Sequence, residues 1–172
     1  MSNTNKIIYL VGFMGTGKST VGRLLADKLN YEFVDLDDYI VDFSQMTIKE
    51  IFKEKGEKSF RAIETQCLRD LSGRENLVVS CGGGVPLSLE NREILNQSGK
   101  VIWLDADGDE IVRRVTLNNN RPLVNGKSPA EIKQLQLDRE PIYNSLGAIK
   151  IDTTNLEPSV IASTIVDQLY IA

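Results

Sequence analysis

Five short apolar runs punctuate the chain, and segments with apolar residues at helical spacing fill the intervals between them. Residues 6–11, with Ile7-Ile8-Tyr9-Leu10-Val11 apolar at every position, predict a central strand buried on both faces. Residues 7–14 also have the character of a short leader segment. No small-residue cleavage site follows, so the stretch is read as a buried strand. From Lys18 to Leu29, Val21, Leu24, Leu25 and Leu29 share one helical face. Glu32-Phe33-Val34 predicts a second strand running into Asp35-Leu36-Asp37-Asp38, with a helix over Asp38–Phe43. Residues 44–76 read as helical. Thr47 and Glu50 form a capping box, Gly56 breaks the pattern, and Phe60, Ile63, Cys67, Leu68 and Leu71 predict a second helix from about Glu57 to Leu71. Leu77–Cys81 is a third strand, followed by Gly82-Gly83-Gly84 and a helix from near Leu89, with Ser88 as its cap and Gly99 at its end. Val101–Leu104 is a fourth strand, and a helix from about Asp109 to Leu117 carries Arg113 and Arg114. Ser128-Pro129-Ala130-Glu131 opens a helix with Arg139 near its end, just before Pro141 and Tyr143. Ile149–Asp152 is a fifth strand. Pro158 opens a last helix whose Val160, Ile161, Ile165 and Leu169 are expected to cover the sheet. Strands alternating with helices predict a parallel sheet covered on both faces.

The first strand and first helix enclose Gly12-Phe13-Met14-Gly15-Thr16-Gly17-Lys18-Ser19, which fits G-x-x-x-x-G-K-[ST] in its strand–loop–helix context. Glycines there let the backbone turn its N–H groups inward as an anion nest, and the following helix adds its positive dipole end. Lys18 can reach the β- and γ-phosphates, and the Ser19 hydroxyl can ligate Mg²⁺. The competing reading, a glycine-rich turn that binds nothing, does not account for the lysine, the hydroxyl and both flanks together.

Bulk properties narrow the remaining classes. The chain has 172 residues, enough for one well-buried core and short for two, so residues 1–172 are read as a single domain. Its net charge of −4 disfavours a general nucleic-acid binder, and anionic ligands must be met by local Arg and Lys. With no histidine, acid–base work falls to carboxylates or lysine, and a Ser-His-Asp triad is excluded. The two cysteines, Cys67 and Cys81, have no zinc spacing and fit a reduced, cytoplasmic chain. No run approaches the ~18 apolar residues of a membrane span.

Other stretches gain meaning beside a phosphate loop. Carboxylates at the carboxyl end of a strand face the crevice of an open α/β sheet, and in extended backbone Asp35 and Asp37 point the same way. One would hold Mg²⁺ and the other a hydroxyl nucleophile; alternatively they form an N-cap cluster. Gly82-Gly83-Gly84 allows close ligand approach or is simply a turn. Arg61, taken alone, reads as a solvated surface residue. The polar, breaker-rich stretch 118–127 has the length of a lid. A five-stranded parallel sheet with a P-loop on its first strand, two helical insertions and a lid describes a three-layer α/β/α P-loop NTPase fold of the nucleoside-monophosphate-kinase kind.

The ordered set Gly12–Thr20, Asp35-Leu36-Asp37, Gly56-Glu57-Lys58-Ser59-Phe60-Arg61-Ala62-Ile63-Glu64, Gly82-Gly83-Gly84, Arg121-Pro122-Leu123 and Arg139 to Tyr143 resembles the shikimate kinase family over nearly the whole chain. The resemblance implies ATP-dependent phosphorylation of the 3-hydroxyl of shikimate in aromatic amino-acid biosynthesis, by an enzyme expected to be a cytoplasmic monomer. It assigns nucleotide contacts to Gly12, Gly15, Thr16, Gly17, Lys18, Ser19 and Thr20, with Arg114 and Pro158 about the adenine. Ser19 and Asp35 would serve Mg²⁺. Asp37 would bind the substrate hydroxyls, as base or as positioner, and Arg61 and Arg139 would clamp the carboxylate beside Gly82, Gly83 and Gly84. Arg121 would reach the transferred phosphate from a lid over about 115–128, and about 36–64 would form the substrate-binding region. Lys18, Asp37 and Arg121 are thus the expected catalytic set. The chain departs from the family pattern after Tyr143, at Asn144-Ser145-Leu146-Gly147, and before Pro158, at Asn155-Leu156-Glu157.

Two other readings compete. A gluconate kinase-like enzyme would share a carboxylated substrate, but the triple glycine and G-E-x-x-F-R favour shikimate. A non-catalytic nucleotide-binding module would keep the P-loop and lose Asp37, Arg61 or Arg121, and all three are present.

Overall fold

The computed structural model describes residues 7–117 and 126–171. Five parallel strands, β1 (Ile7–Val11), β2 (Glu32–Asp35), β3 (Leu77–Ser80), β4 (Lys100–Asp105) and β5 (Ile149–Asp152), form one sheet in the order β2-β3-β1-β4-β5. Seven helices accompany them among the described residues: α1 (Lys18–Leu29), α2 (Leu36–Ser44), α3 (Ile48–Ser72), α4 (Leu89–Ser98), α5 (Gly108–Thr116), α6 (Pro129–Asn144) and α7 (Pro158–Ile171).

The central strand shows why its sequence is apolar throughout. Ile7, Tyr9 and Val11 join the core beneath α2–α6, whereas Ile8 and Leu10 join the core with α1 and α7. Alternate side chains of a strand point to opposite faces, so a strand buried on both faces tolerates no polar position. From β1 the chain passes to β2 on one side of the sheet and later to β4 on the other. The carboxyl end of β1 therefore lies at a change of winding direction, where open α/β sheets bind their ligands.

Local chemistry sets the element ends. Thr47 Oγ1 accepts from the Glu50 N–H and the Glu50 carboxylate from the Thr47 N–H; Ser128 and Glu131 repeat the arrangement at α6. Helix α3 spans the expected break but kinks there, since Gly56 has φ 79° and ψ 170°, a conformation nearly restricted to glycine. A 3-10 turn at Val85–Leu87 lies between the triple glycine and α4, where only a turn was expected. Helix α6 runs one residue beyond Tyr143 and through Pro141. A proline inside a helix costs ~3 kcal/mol or more, so side chains past it must anchor that last turn. In α7, Ile161 and Ile165 are buried as expected, but Val160 is exposed, because it lies about 100° around the helix from Ile161. No described helix is long and apolar enough to cross a membrane.

Candidate active site

The loop after β1 takes the conformation its glycines permit: φ is 146° at Gly12, 79° at Gly15 and 88° at Gly17. A Cβ at Gly12 would collide with the Leu104 carbonyl. Lys18 is almost fully buried, and its Nζ donates to the carbonyls of Gly12 and Phe13, both at 2.9 Å. The ammonium is thereby held against the loop that an incoming phosphate would occupy. Thr16 is also buried and braces the loop through Oγ1 to Phe13 O, 2.8 Å.

Beside this loop, Ser19 Oγ donates to Asp35 Oδ2 at 2.6 Å. The structure corrects the expected geometry of the acidic pair. Asp35 ends β2 and caps α2, accepting from the Asp37 N–H at 3.0 Å, while Asp37 already lies in the first helical turn. The two carboxylates are separated by a strand-to-helix corner and do not project side by side from extended backbone. The N-cap reading of Asp35 holds, and its other oxygen is left to the Ser19 hydroxyl. Its carboxylate and the Ser19 hydroxyl are hard oxygen donors in contact. They fit Mg²⁺, which takes one or two protein oxygens and completes its shell with phosphate oxygens and water.

A cleft of about 620 Å³ opens on the far side of the loop, lined by Thr16, Gly17, Thr20, Arg114 and Pro158 among others. Arg114 fixes its wall. Nε donates to Glu110 at 2.6 Å, and the guanidinium reaches the Gly15 carbonyl and Thr153 Oγ1 and O at 3.2–3.3 Å. Hydrogen bonds from Arg113 and Arg114 hold the Glu110 pKa down at about 2. Glu110 and the buried Thr153 were not foreseen as parts of this wall. Thr153 lies just past β5 and carried no motif.

On the other side of the loop, the three glycines after β3 gather the charged groups. A Cβ on Gly82 would lie 3.2 Å from Asp37 Oδ1, one on Gly83 would lie 3.4 Å from Arg139 Nη1, and one on Gly84 would lie 2.6 Å from both Arg61 Nη atoms. Side chains from α2, α3 and α6 thus converge on the three glycines, tightly at Gly82 and with no room for a Cβ at Gly84. Among the described residues the buried Arg139 Nη1 has no hydrogen-bond partner, and its Cζ lies 5.7 Å from the centre of the Phe13 ring in the phosphate loop. A buried, unsatisfied guanidinium N–H aimed into a glycine-lined recess calls for an anion. Arg61 is not a solvated surface residue: its Nη1 donates at 2.8 Å to Glu64, which is 1% exposed. Burial raises the Glu64 pKa and Arg61 opposes the rise. Glu64 belongs to the G-E-x-x-F-R-x-x-E stretch but had been given no role. Arg121 lies outside the described residues, as does most of the expected lid. Among the described residues no group of three or more His, Cys, Asp or Glu side chains is arranged to hold a metal by itself.

The family model for shikimate kinase matches residues 14–170. The chain belongs to the shikimate kinase family. A shikimate kinase from Sulfurihydrogenibium sp. (strain YO3AOP1) is 43% identical over 165 residues, covering 95% of this chain and 98% of that one. The structure of shikimate kinase from Acinetobacter baumannii in complex with shikimate superposes with a TM-score of 0.90 at 37% identity, covering 96% of this chain and 93% of that one. A gluconokinase from Sinorhizobium meliloti 1021, at 18% identity and a TM-score of 0.60 over 99% of this chain and 98% of that one, shares the fold alone. Family membership and the three-layer fold agree with the resemblance drawn from the motifs.

Proposed function

We propose that this chain transfers the terminal phosphoryl group of ATP to the 3-hydroxyl of shikimate, giving ADP and shikimate 3-phosphate for aromatic amino-acid biosynthesis. Its family and a neighbour in complex with shikimate support the reaction. The single observation that carries the acid site is the convergence of Asp37, Arg61 and Arg139 on Gly82, Gly83 and Gly84 beside the phosphate loop. Two guanidiniums suit a planar carboxylate, and a carboxylate across the recess suits ring hydroxyls.

The residues divide the work. The loop Gly12–Thr20 and Lys18 bind the phosphates, and Arg114 and Pro158 line the adenine cleft. Ser19 and Asp35 would hold Mg²⁺, which would supply neutralisation of phosphate charge. Arg61 and Arg139 bind the acid, and Asp37 orients the 3-hydroxyl and accepts its proton as the bond to phosphorus forms. Arg121 arrives with the lid, stabilises charge on the transferred group and helps exclude water. Residues about 36–64 serve as the substrate-binding region and about 115–128 as the lid of one domain. The protein works as a cytoplasmic monomer, without nucleic-acid or membrane partners.

A coupled ADP-release assay tests the reading. ADP should appear with ATP, Mg²⁺ and shikimate and should stay at the blank rate with gluconate. Turnover of gluconate in preference to shikimate would overturn the substrate, and tight binding of both ATP and shikimate without turnover would overturn the enzyme.

A further inference from the structure

All three glycine carbonyls of the acid recess are engaged, and they are engaged differently. Gly82 O accepts from the Val85 N–H at 3.0 Å and Gly84 O from the Leu87 N–H at 3.1 Å, both local turn bonds. Gly83 O instead accepts from Tyr143 Oη at 2.8 Å, a side chain 60 residues away on α6. Tyr143 is 2% exposed, and its ring packs on Trp103 of β4 with centroids 5.6 Å apart. Lys150 Nζ caps that indole at 4.1 Å. Burial pushes the Tyr143 pKa up to about 12 against the opposing pull of the neighbouring Arg139 guanidinium, so the hydroxyl stays protonated as a donor.

The spacing on α6 gives this bond a consequence for the anion site. Arg139 and Tyr143 are four residues apart and therefore share a helix face. Both meet the same glycine, Arg139 at the Cβ position and Tyr143 at the carbonyl. The Gly83 Cβ position is also 3.5 Å from Gly12 O and 3.7 Å from Met14 N, so this residue is a contact between the phosphate loop and the acid recess. Helix α6 reaches Tyr143 only by running through Pro141, which weakens its last turn. The hydroxyl is thus one polar fastening of the helix end that follows Arg139, beside the bonds from Lys150 to Glu140 and from Arg92 to Ser145.

We propose that Tyr143 is a positioning residue for the carboxylate clamp: its hydroxyl fixes the Gly83 peptide and the end of α6 so that Arg139 is held ready for the acid. The inference rests on the reading of Arg139 as a carboxylate ligand. Tyr143→Phe keeps the ring and removes only the donor. Losing one neutral hydrogen bond that preorganises the clamp should raise the shikimate KM about 3- to 10-fold, leaving kcat and the ATP KM within about twofold. A double-mutant cycle separates positioning from general loosening. In an Arg139→Ala background the Tyr143→Phe effect on the shikimate Kd, measured by calorimetry, should vanish. Emission of Trp103, the only tryptophan, should report an intact ring stack. An unchanged shikimate KM in Tyr143→Phe, an equal effect with and without Arg139, or failure of the variant to fold would each overturn the proposal. If Arg139→Ala itself leaves shikimate binding unchanged, the clamp reading falls first, and the two failures are told apart.

Discussion

Gly84→Ala isolates the acid site with little else disturbed. Gly84 has φ −90° and ψ −6°, an ordinary helical conformation, so alanine meets no backbone strain. Its Cβ, however, would lie 2.6 Å from Nη1 and Nη2 of Arg61 and 2.9 Å from Cζ, against an ordinary contact of 3.4 Å or more. The guanidinium must retreat by about 0.8 Å while its Nη1 is tethered at 2.8 Å to the buried Glu64. Charge-assisted hydrogen bonds from a displaced arginine are worth ~1.5–3 kcal/mol, and ~1.4 kcal/mol is tenfold, so the shikimate KM should rise about 10- to 150-fold. The ATP KM should stay within about twofold, because no nucleotide contact moves. Stability should change by less than ~0.5 kcal/mol, about 2 °C in Tm, since the clash falls on the end of a flexible side chain. Arg61→Ala is a poorer probe, because it also leaves the Glu64 carboxylate buried without its partner, a loss of the kind that costs ~3–5 kcal/mol. The assay is ADP release against varied shikimate at saturating ATP, beside a thermal melt. A folded variant with a wild-type shikimate KM would refute the placement of Arg61 in the acid site.

Three further outcomes follow, the first two from the same geometry and the third from the role proposed for Arg121. Burial lifts the Glu64 pKa above its usual 4.5, so its contribution to stability is complete below that value and is lost as pH rises through the folded value. The Tm of the wild type should therefore fall with rising pH relative to Glu64→Gln across that window, and parallel curves would contradict it. Glu110 shows the opposite sign: with its pKa held at about 2 by two arginines, its contribution is present above 4.5 and is lost as pH falls from 4.5 towards 2. Glu110→Gln should flatten the acid limb of a Tm–pH profile and raise the ATP KM by freeing Arg114, and neither effect is expected if the cleft wall is independent of Glu110. Arg121→Ala should lower kcat by ~10³ or more with little change in ATP Kd, as for an arginine that meets charge in the transition state, and near-normal turnover would remove that role.

Much of the architecture was legible because it is written in short-range signals. Ile7–Val11 read as a two-faced strand, Thr47 with Glu50 and Ser128 with Glu131 marked helix starts, and the glycine–lysine–serine loop marked the nucleotide end. What stayed hidden depends on contacts between distant segments. Arg61 looked like a surface residue because helical periodicity alone does not show that Gly84 and Glu64 would enclose it. Asp35 and Asp37 were misread as one extended face because the strand turns into α2 between them, two residues before the helix start expected at Asp38. Arg114 reaches Gly15 across 99 residues and Tyr143 reaches Gly83 across 60, distances at which no spacing rule operates.

The proposed reaction requires one arrangement: a small acid held by Arg61 and Arg139 over the triple glycine, its hydroxyl turned to Asp37 and the phosphate loop. A crystal structure with shikimate and a non-hydrolysable ATP analogue measures it directly. The expected result is the shikimate carboxylate within ~3.2 Å of both guanidiniums and its 3-hydroxyl within hydrogen-bond reach of Asp37, facing the terminal phosphate. A carboxylate bound elsewhere, or a ring whose 3-hydroxyl points away from Asp37, would contradict it.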